Sequence, residues 1–178
     1  MRFIIHAAAL CLILALILPA AALAQYEEDG PTKLNVRLGL FRPFDNEAQL
    51  NTGKTWSSIG LNYDLKTNEQ GRPILQAELG LMDSTDTDDK VITLGANKLW
   101  WQKPTGTSLY YGAGLGLAKF TILEEKKLTL TGQLLVGFSV SDNYFVELRG
   151  LIVPSMDLLG AKVKMSGVVL SVGTRKLF

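Results

Sequence analysis

Imidazole or thiolate chemistry needs a histidine or a cysteine, and the sequence of 178 residues has one of each, His6 and Cys11. Both sit in an uncharged stretch, residues 3–24, rich in Ala, Leu and Ile. Beyond that stretch, zinc sites built on Cys or His, Ser-His-Asp triads, Cys-His dyads and histidine general bases are excluded. Carboxylates and guanidiniums remain. One set stands out by position: Arg37, Asp64, Glu78, Glu147, Arg149 and Arg175, balanced in sign. An acid pair of Glu78 and Glu147 is the one catalytic arrangement this set offers, and the balancing arginines mark it instead as a structural charge network. A second set, Asp83, Asp86, Asp88 and Asp89, spaces carboxylates along residues 83–89. Calcium takes such oxygens, but the glycine and terminal Glu of an EF-hand loop are missing, so the stretch reads as a solvated loop. Glu124-Glu125-Lys126-Lys127 reads likewise as a solvated loop tip. No enzymatic activity, cofactor or metal is expected.

Residues 1–24 have the layout of a secretory signal peptide. Arg2 supplies the positive start, residues 3–18 the apolar run, and Ala22-Leu23-Ala24 the small-residue pattern before Gln25. Cleavage is expected between Ala24 and Gln25. An uncleaved anchor is the alternative, and the run is short for a bilayer span. Of the 18 Lys and Arg, Arg2 leaves with the leader, so the remainder balances the 17 Asp and Glu. A neutral chain without a basic cluster argues against a nucleic-acid partner. Three segments follow: a signal peptide at 1–24, a short N-terminal segment at 25–32, and one domain at 33–178.

The elements that carry the charged set are strands. At 109–118 the odd positions Leu109, Tyr111, Ala113, Leu115 and Leu117 alternate with Tyr110, Gly112, Gly114, Gly116 and Ala118. A helix would mix these two sets around its circumference, whereas a strand puts one on each face. The same alternation begins at Leu34, Ser58, Leu75, Ile92, Leu128, Tyr144 and Val168, giving eight strands in all. Turn-rich breaks lie between them, the longest at 42–55 and 154–164. Within the first of these, residues 45–51 have the makings of a helical turn over a barrel mouth.

Eight alternating strands close as a soluble barrel, apolar inside, or as a membrane barrel, apolar outside and polar inside. Three features favour the second. The glycines, among them Gly39, Gly60, Gly80, Gly95, Gly112, Gly114, Gly116, Gly137 and Gly173, share the polar face, where a narrow lumen needs small residues. The charges on that face balance, and buried charge is tolerable only when paired. The aromatics Tyr63, Trp100, Tyr111, Phe138, Tyr144 and Phe178 share the apolar face and one end, which is half of an interfacial girdle. Trp101 and Tyr110 have inward parity at that same end. With both termini there, the connections at that end are the short ones, as in barrels whose short turns are periplasmic.

The leader, the eight strands, the Tyr-Tyr-Gly-Ala-Gly-Leu-Gly-Leu-Ala strand at 110–118 and the terminal Phe178 together resemble the small outer-membrane β-barrel superfamily, in particular the OmpA transmembrane domain and its single-domain relatives. The resemblance implies an all-β, eight-stranded antiparallel up-and-down transmembrane barrel in the outer membrane. It implies contact with outer-membrane lipid and lipopolysaccharide, and presentation of Phe178 to the assembly machinery. Lys176 departs from the apolar residue usual at its spacing, and OmpA's peptidoglycan-binding domain is not expected here. Enzymatic relatives, the lipid A deacylases and palmitoyltransferases and the omptin-type proteases, depend on a histidine that the mature chain lacks. The expected role is therefore structural or surface-interacting, around a plugged lumen. A narrow pore or a route for a small apolar solute is the alternative, and a soluble periplasmic lipid-binding barrel is a second one.

Overall fold

Period-two alternation extends through nearly the whole folded chain. The computed structural model describes residues 34–103, 106–141, 143–158 and 161–175. Its elements in chain order are β1 (Leu34–Pro43), α1 (Asn46–Thr52), β2 (Trp56–Thr67), β3 (Pro73–Ser84), β4 (Lys90–Trp101), β5 (Ser108–Ile122), β6 (Glu125–Ser139), β7 (Tyr144–Ile152), β8 (Met156–Leu158), β9 (Ala161–Val163) and β10 (Gly167–Thr174). Eight of the strands close a barrel in the order β1-β10-β7-β6-β5-β4-β3-β2, while β8 and β9 form a separate two-stranded hairpin. Every barrel pairing is antiparallel, including the β1–β10 seam that runs from Val36 opposite Thr174 to Pro43 opposite Gly167. Closure leaves no sheet edge around the wall, and the backbone satisfies itself strand to strand.

The apolar residues face out. Leu94, Leu115, Leu128, Leu130 and Leu134 are exposed, Leu115 at 76% and Leu130 at 70%. Their neighbours in sequence, Thr93, Thr131 and Gln133, are buried with Asn35, Asn62, Asn97, Arg37 and Glu78. A soluble barrel would have the reverse. Among the described residues no helix is long and apolar enough to cross a membrane; the strands present the apolar surface. Ten residues of strand, at about 3.4 Å each and a tilt of about 40°, rise about 26 Å, enough for the apolar band of such a barrel.

Two local features depart from the sequence reading. Residues 125–127 belong to β6, so the loop tip expected at 124–127 shrinks to a two-residue turn. That turn places Leu123 (φ 50°) and Glu124 (φ 69°) in the left-handed region, the geometry that matches strand twist in a tight hairpin. The hairpin β8–β9 fills part of the break expected at 154–164, its strands being too short to reveal a period.

Candidate functional site

The inward face of the wall delivers charge to mid-lumen. Arg37 on β1, Glu78 on β3, and Glu147 and Arg149 on β7 form one cluster. Glu78 pairs with Arg37 and with Arg149. Glu147 lies 2.7 Å from Arg149 Nη2 and 3.6 Å from Arg37 Nη1. Each cation thus touches both anions, and all four side chains are buried. Amides complete the shell. Asn97 Nδ2 donates to Glu78 at 2.6 Å, Gln133 Nε2 to Asn97 Oδ1 at 2.6 Å, and Arg149 Nη1 to Gln133 Oε1 at 2.9 Å. The arrangement supplies what buried ions need, namely opposite partners and amides around them, with the Arg37 Nε donor alone in the cluster left buried without a hydrogen-bond partner among the described residues. Small cavities flank it, one lined by Thr93 and one by Asn35. Thr93 Oγ1 and Asn35 Oδ1 are buried there without a hydrogen-bond partner.

Toward the α1 end the lumen becomes apolar. Phe41, Trp56, Met82, Phe120, Ile122 and Met165 are buried in one cluster with Ala48 of α1. Phe41 and Trp56 meet edge to face at 6.1 Å. Asp45 caps α1 by accepting from Glu47 N at 2.8 Å, and Gly53 ends it at φ 94°, a conformation suited to glycine. The acidic loop is occupied in holding this lid. Asp86 accepts from Lys54 N at 3.2 Å, and Asp89 accepts from Leu123 N at 2.8 Å and Thr87 Oγ1 at 2.7 Å. Among the described residues no group of three acidic, His or Cys side chains is placed to hold a metal.

At the terminal end the plug is aromatic. Trp101 and Tyr110 lie 4.5 Å apart, and Tyr110 meets Phe145 edge on at 6.5 Å. Arg72 and Arg175 both stack on Trp101, at 4.5 and 4.4 Å from the ring centre. Tyr110 OH donates to Glu147 at 3.1 Å, tying this plug to the charged layer. Gly137 stands opposite Tyr110 in the register, and a Cβ there would run into the phenol ring.

The barrel architecture has counterparts among solved structures. The chain is similar to the outer membrane enzyme PagL, with a TM-score of 0.55 and 13% identity over 79% of this chain and 97% of that one. It is similar to Neisserial surface protein A (NspA), with a TM-score of 0.52 and 15% identity over 82% of this chain and 97% of that one. This is the small outer-membrane β-barrel fold. No family profile and no curated protein matches the chain.

Within this outer-membrane barrel fold, the structure places the six inward charges in three groups. Arg37, Glu78, Glu147 and Arg149 come together as described. Asp64 is separate, accepting from Asn35 at 2.9 Å and from Gln76 at 2.6 Å. Arg175 lies apart from that cluster too, its guanidinium laid on Trp101, Tyr110 and Phe145 and attracted by the Asp64 carboxylate. Of the aromatics read as a girdle, Tyr63, Trp100, Tyr111, Phe138 and Tyr144 are exposed on the outer face at the terminal end. Trp100 stacks on Tyr111 at 5.6 Å with Lys98 over it at 5.3 Å. Phe178, Lys176, Ala24 and Gln25 lie outside the described residues. The amides Asn35, Gln76, Asn97 and Gln133, which bind the charges, were legible only as polar-face residues. Their inward parity was the signal.

Proposed function

We propose that this protein is a non-catalytic outer-membrane barrel whose lumen is closed and whose outward business is done by the segments at its α1 end. The observation that carries the reading is the three-layer blockage: an apolar lid, a paired charge layer and an aromatic plug occupy successive depths of one narrow lumen. Ion pairs and amides that satisfy one another across the lumen leave no path for bulk water. A barrel of the same fold is an outer membrane enzyme, yet the only histidine here is His6 of the leader, and the inward carboxylates are committed to arginines and amides. Export through the leader with cleavage at Ala24–Gln25, insertion assisted by the assembly machinery through Phe178, and residence among outer-membrane lipid and lipopolysaccharide belong to the same proposal.

Two measurements test it. The mature protein extracted from the outer-membrane fraction is expected to migrate differently on an SDS gel before and after boiling. In planar bilayers it is expected to give at most small, infrequent currents. Steady large channels would overturn the closed lumen in favour of a pore, and a protein soluble without detergent would overturn the membrane reading itself.

A further inference from the structure

The barrel wall steps down at the α1 end between β6 and β7. β5 and β6 pair to the end of their hairpin, Ile122 opposite Glu125, whereas β7 joins β6 only from Ile152 opposite Gly132. Residues 125–131 of β6 therefore have a strand neighbour on one side alone among the described residues. Leu128 and Leu130 of this stretch are exposed, so the open edge reaches the apolar surface. Unpaired backbone is costly there, and an open edge is a template for a further strand. The chain leaving β7 has the sequence to fill it. Continued past Ile152, the β6–β7 register sets Thr129 opposite Ser155, Leu128 opposite Met156 and Lys127 opposite Asp157. Polar meets polar, apolar meets apolar, and cation meets anion.

The chain turns over the mouth instead. Leu151 to Met156 is five steps along the chain and Val163 to Gly167 is four, between two pairings of one hairpin. The extra residue is a bulge, which bends the strand and turns later side chains to the other face. Met156 thus has the outward parity of Ile152, yet it is buried in the mouth with Val163 and Met165. Pro154, opposite Leu130 in the continued register, has no N–H to offer. Few bonds hold the folded-over position. Ser166 Oγ accepts from Val153 N at 2.9 Å and donates to Val153 O at 3.1 Å, and Thr52 Oγ1 meets Met165 Sδ at 3.9 Å.

We infer that the β8–β9 hairpin is a hinged flap with two seats, the mouth of the lumen and the open edge of β6, turning at Val153 and Ser166. The move exchanges like for like. Met156 passes from the mouth to lipid, which is as apolar, and Asp157 passes from its cross-strand neighbour Lys162 to Lys127. Backbone pairing along β6 is gained. Phe41, Trp56 and Phe120 lose their cover, while the charged layer and the aromatic plug stay shut. The inference goes beyond the closed lumen and takes from the membrane reading only the lipid that receives Met156.

The test exploits the lack of cysteine after residue 24, so that an introduced pair reports alone. Lys127→Cys with Asp157→Cys, in the mature chain in phosphatidylcholine nanodiscs, is expected to form an intramolecular disulfide under mild oxidation, read by mass after thiol alkylation. Lys126→Cys with Asp157→Cys is expected to form none, because in the second seat these positions point to opposite faces. Adding Ser166→Ala to the first pair is expected to speed its closure about fivefold, the equivalent of one lost hydrogen bond. Free thiols throughout in the first pair, or equal yields in the two pairs, overturn the second seat. A rate unmoved by Ser166→Ala overturns the hinge. Lys126, Lys127 and Asp157 are all exposed, so both pairs are expected to keep the heat-shifted gel band. A parent that is soluble without detergent would instead sink the membrane reading, which the disulfide pattern does not address.

Discussion

The two mouths of the barrel are closed by different means. At the α1 end the seal joins wall residues, Phe41, Trp56, Met82, Phe120 and Ile122, to chain outside the wall, Ala48 of α1 and the segment around Met165, and it works by burying aliphatic and aromatic surface. At the terminal end the rings of Trp101, Tyr110 and Phe145 come from the wall strands themselves, and guanidiniums complete the stack. A seal made of added segments can loosen while the wall stays closed. A seal made of wall residues that also bond the charged layer cannot loosen alone. One lumen therefore holds a seal with a detachable cover, α1 and the Met165 segment, and an integral plug.

The strongest way to break this contrast is to attack the layer both mouths rest on. Glu78→Ala removes one carboxylate from between Arg37 and Arg149, and the two guanidiniums then share Glu147 alone. A loss of about 3–5 kcal/mol is expected, because an uncompensated buried charge is what such a deletion leaves. Urea unfolding in detergent measures it, and an unchanged midpoint would show that the charged layer does not support the barrel. Next in size is Trp56→Ala, at the end of β2 on which α1 rests, at about 3 kcal/mol for a buried aromatic. Here the loss is expected to be local: amide exchange rises over residues 44–55 while β4 to β6 stay protected and the heat shift on gels survives. Uniform loss of protection would erase the distinction between lid and wall.

Smaller changes sharpen it. Tyr110→Phe keeps the ring and removes the donor to Glu147, with an expected cost of about 1.5 kcal/mol for a hydrogen bond to a charged group. Because this plug is part of the wall, the cost should appear in the global urea midpoint. Asp45→Ala removes the cap of α1 and should cost about 1 kcal/mol, visible as faster exchange at the Glu47 amide with the global midpoint unmoved. If Asp45→Ala shifts the midpoint and Tyr110→Phe does not, the two mouths have been assigned the wrong way round.

Much of this was legible from the chain alone. Parity placed Arg37 and Glu78 inside and Leu115 and Leu130 outside, since alternation along a strand is a local property that two neighbours suffice to reveal. The helical turn near residues 45–51 was signalled by its polar sequence after a strand, and the structure places α1 there. The lid was not legible. Phe41, Trp56 and Phe120 have the inward parity expected to be polar, and nothing local marks the depth at which a lumen changes from wet to apolar. The β6 start at Glu125 was hidden because Glu124 to Lys127 has the composition of a loop, while cross-strand pairing with β5 decides that it is strand.

By itself the sequence determined the period, hence the strands, hence which residues face lipid and which face the lumen. It also set the balance of inward charge, because that is a count over one face. Only the closed tertiary structure decided who pairs with whom. Glu78 on β3 reaches Arg149 on β7 because the sheet curls until they oppose each other across the lumen. Asp64 and Arg175 have the same parity, yet they lie at other depths and found amides and aromatic rings instead. Parity is written residue by residue along the chain, whereas depth and opposition across a lumen exist only once the barrel has closed.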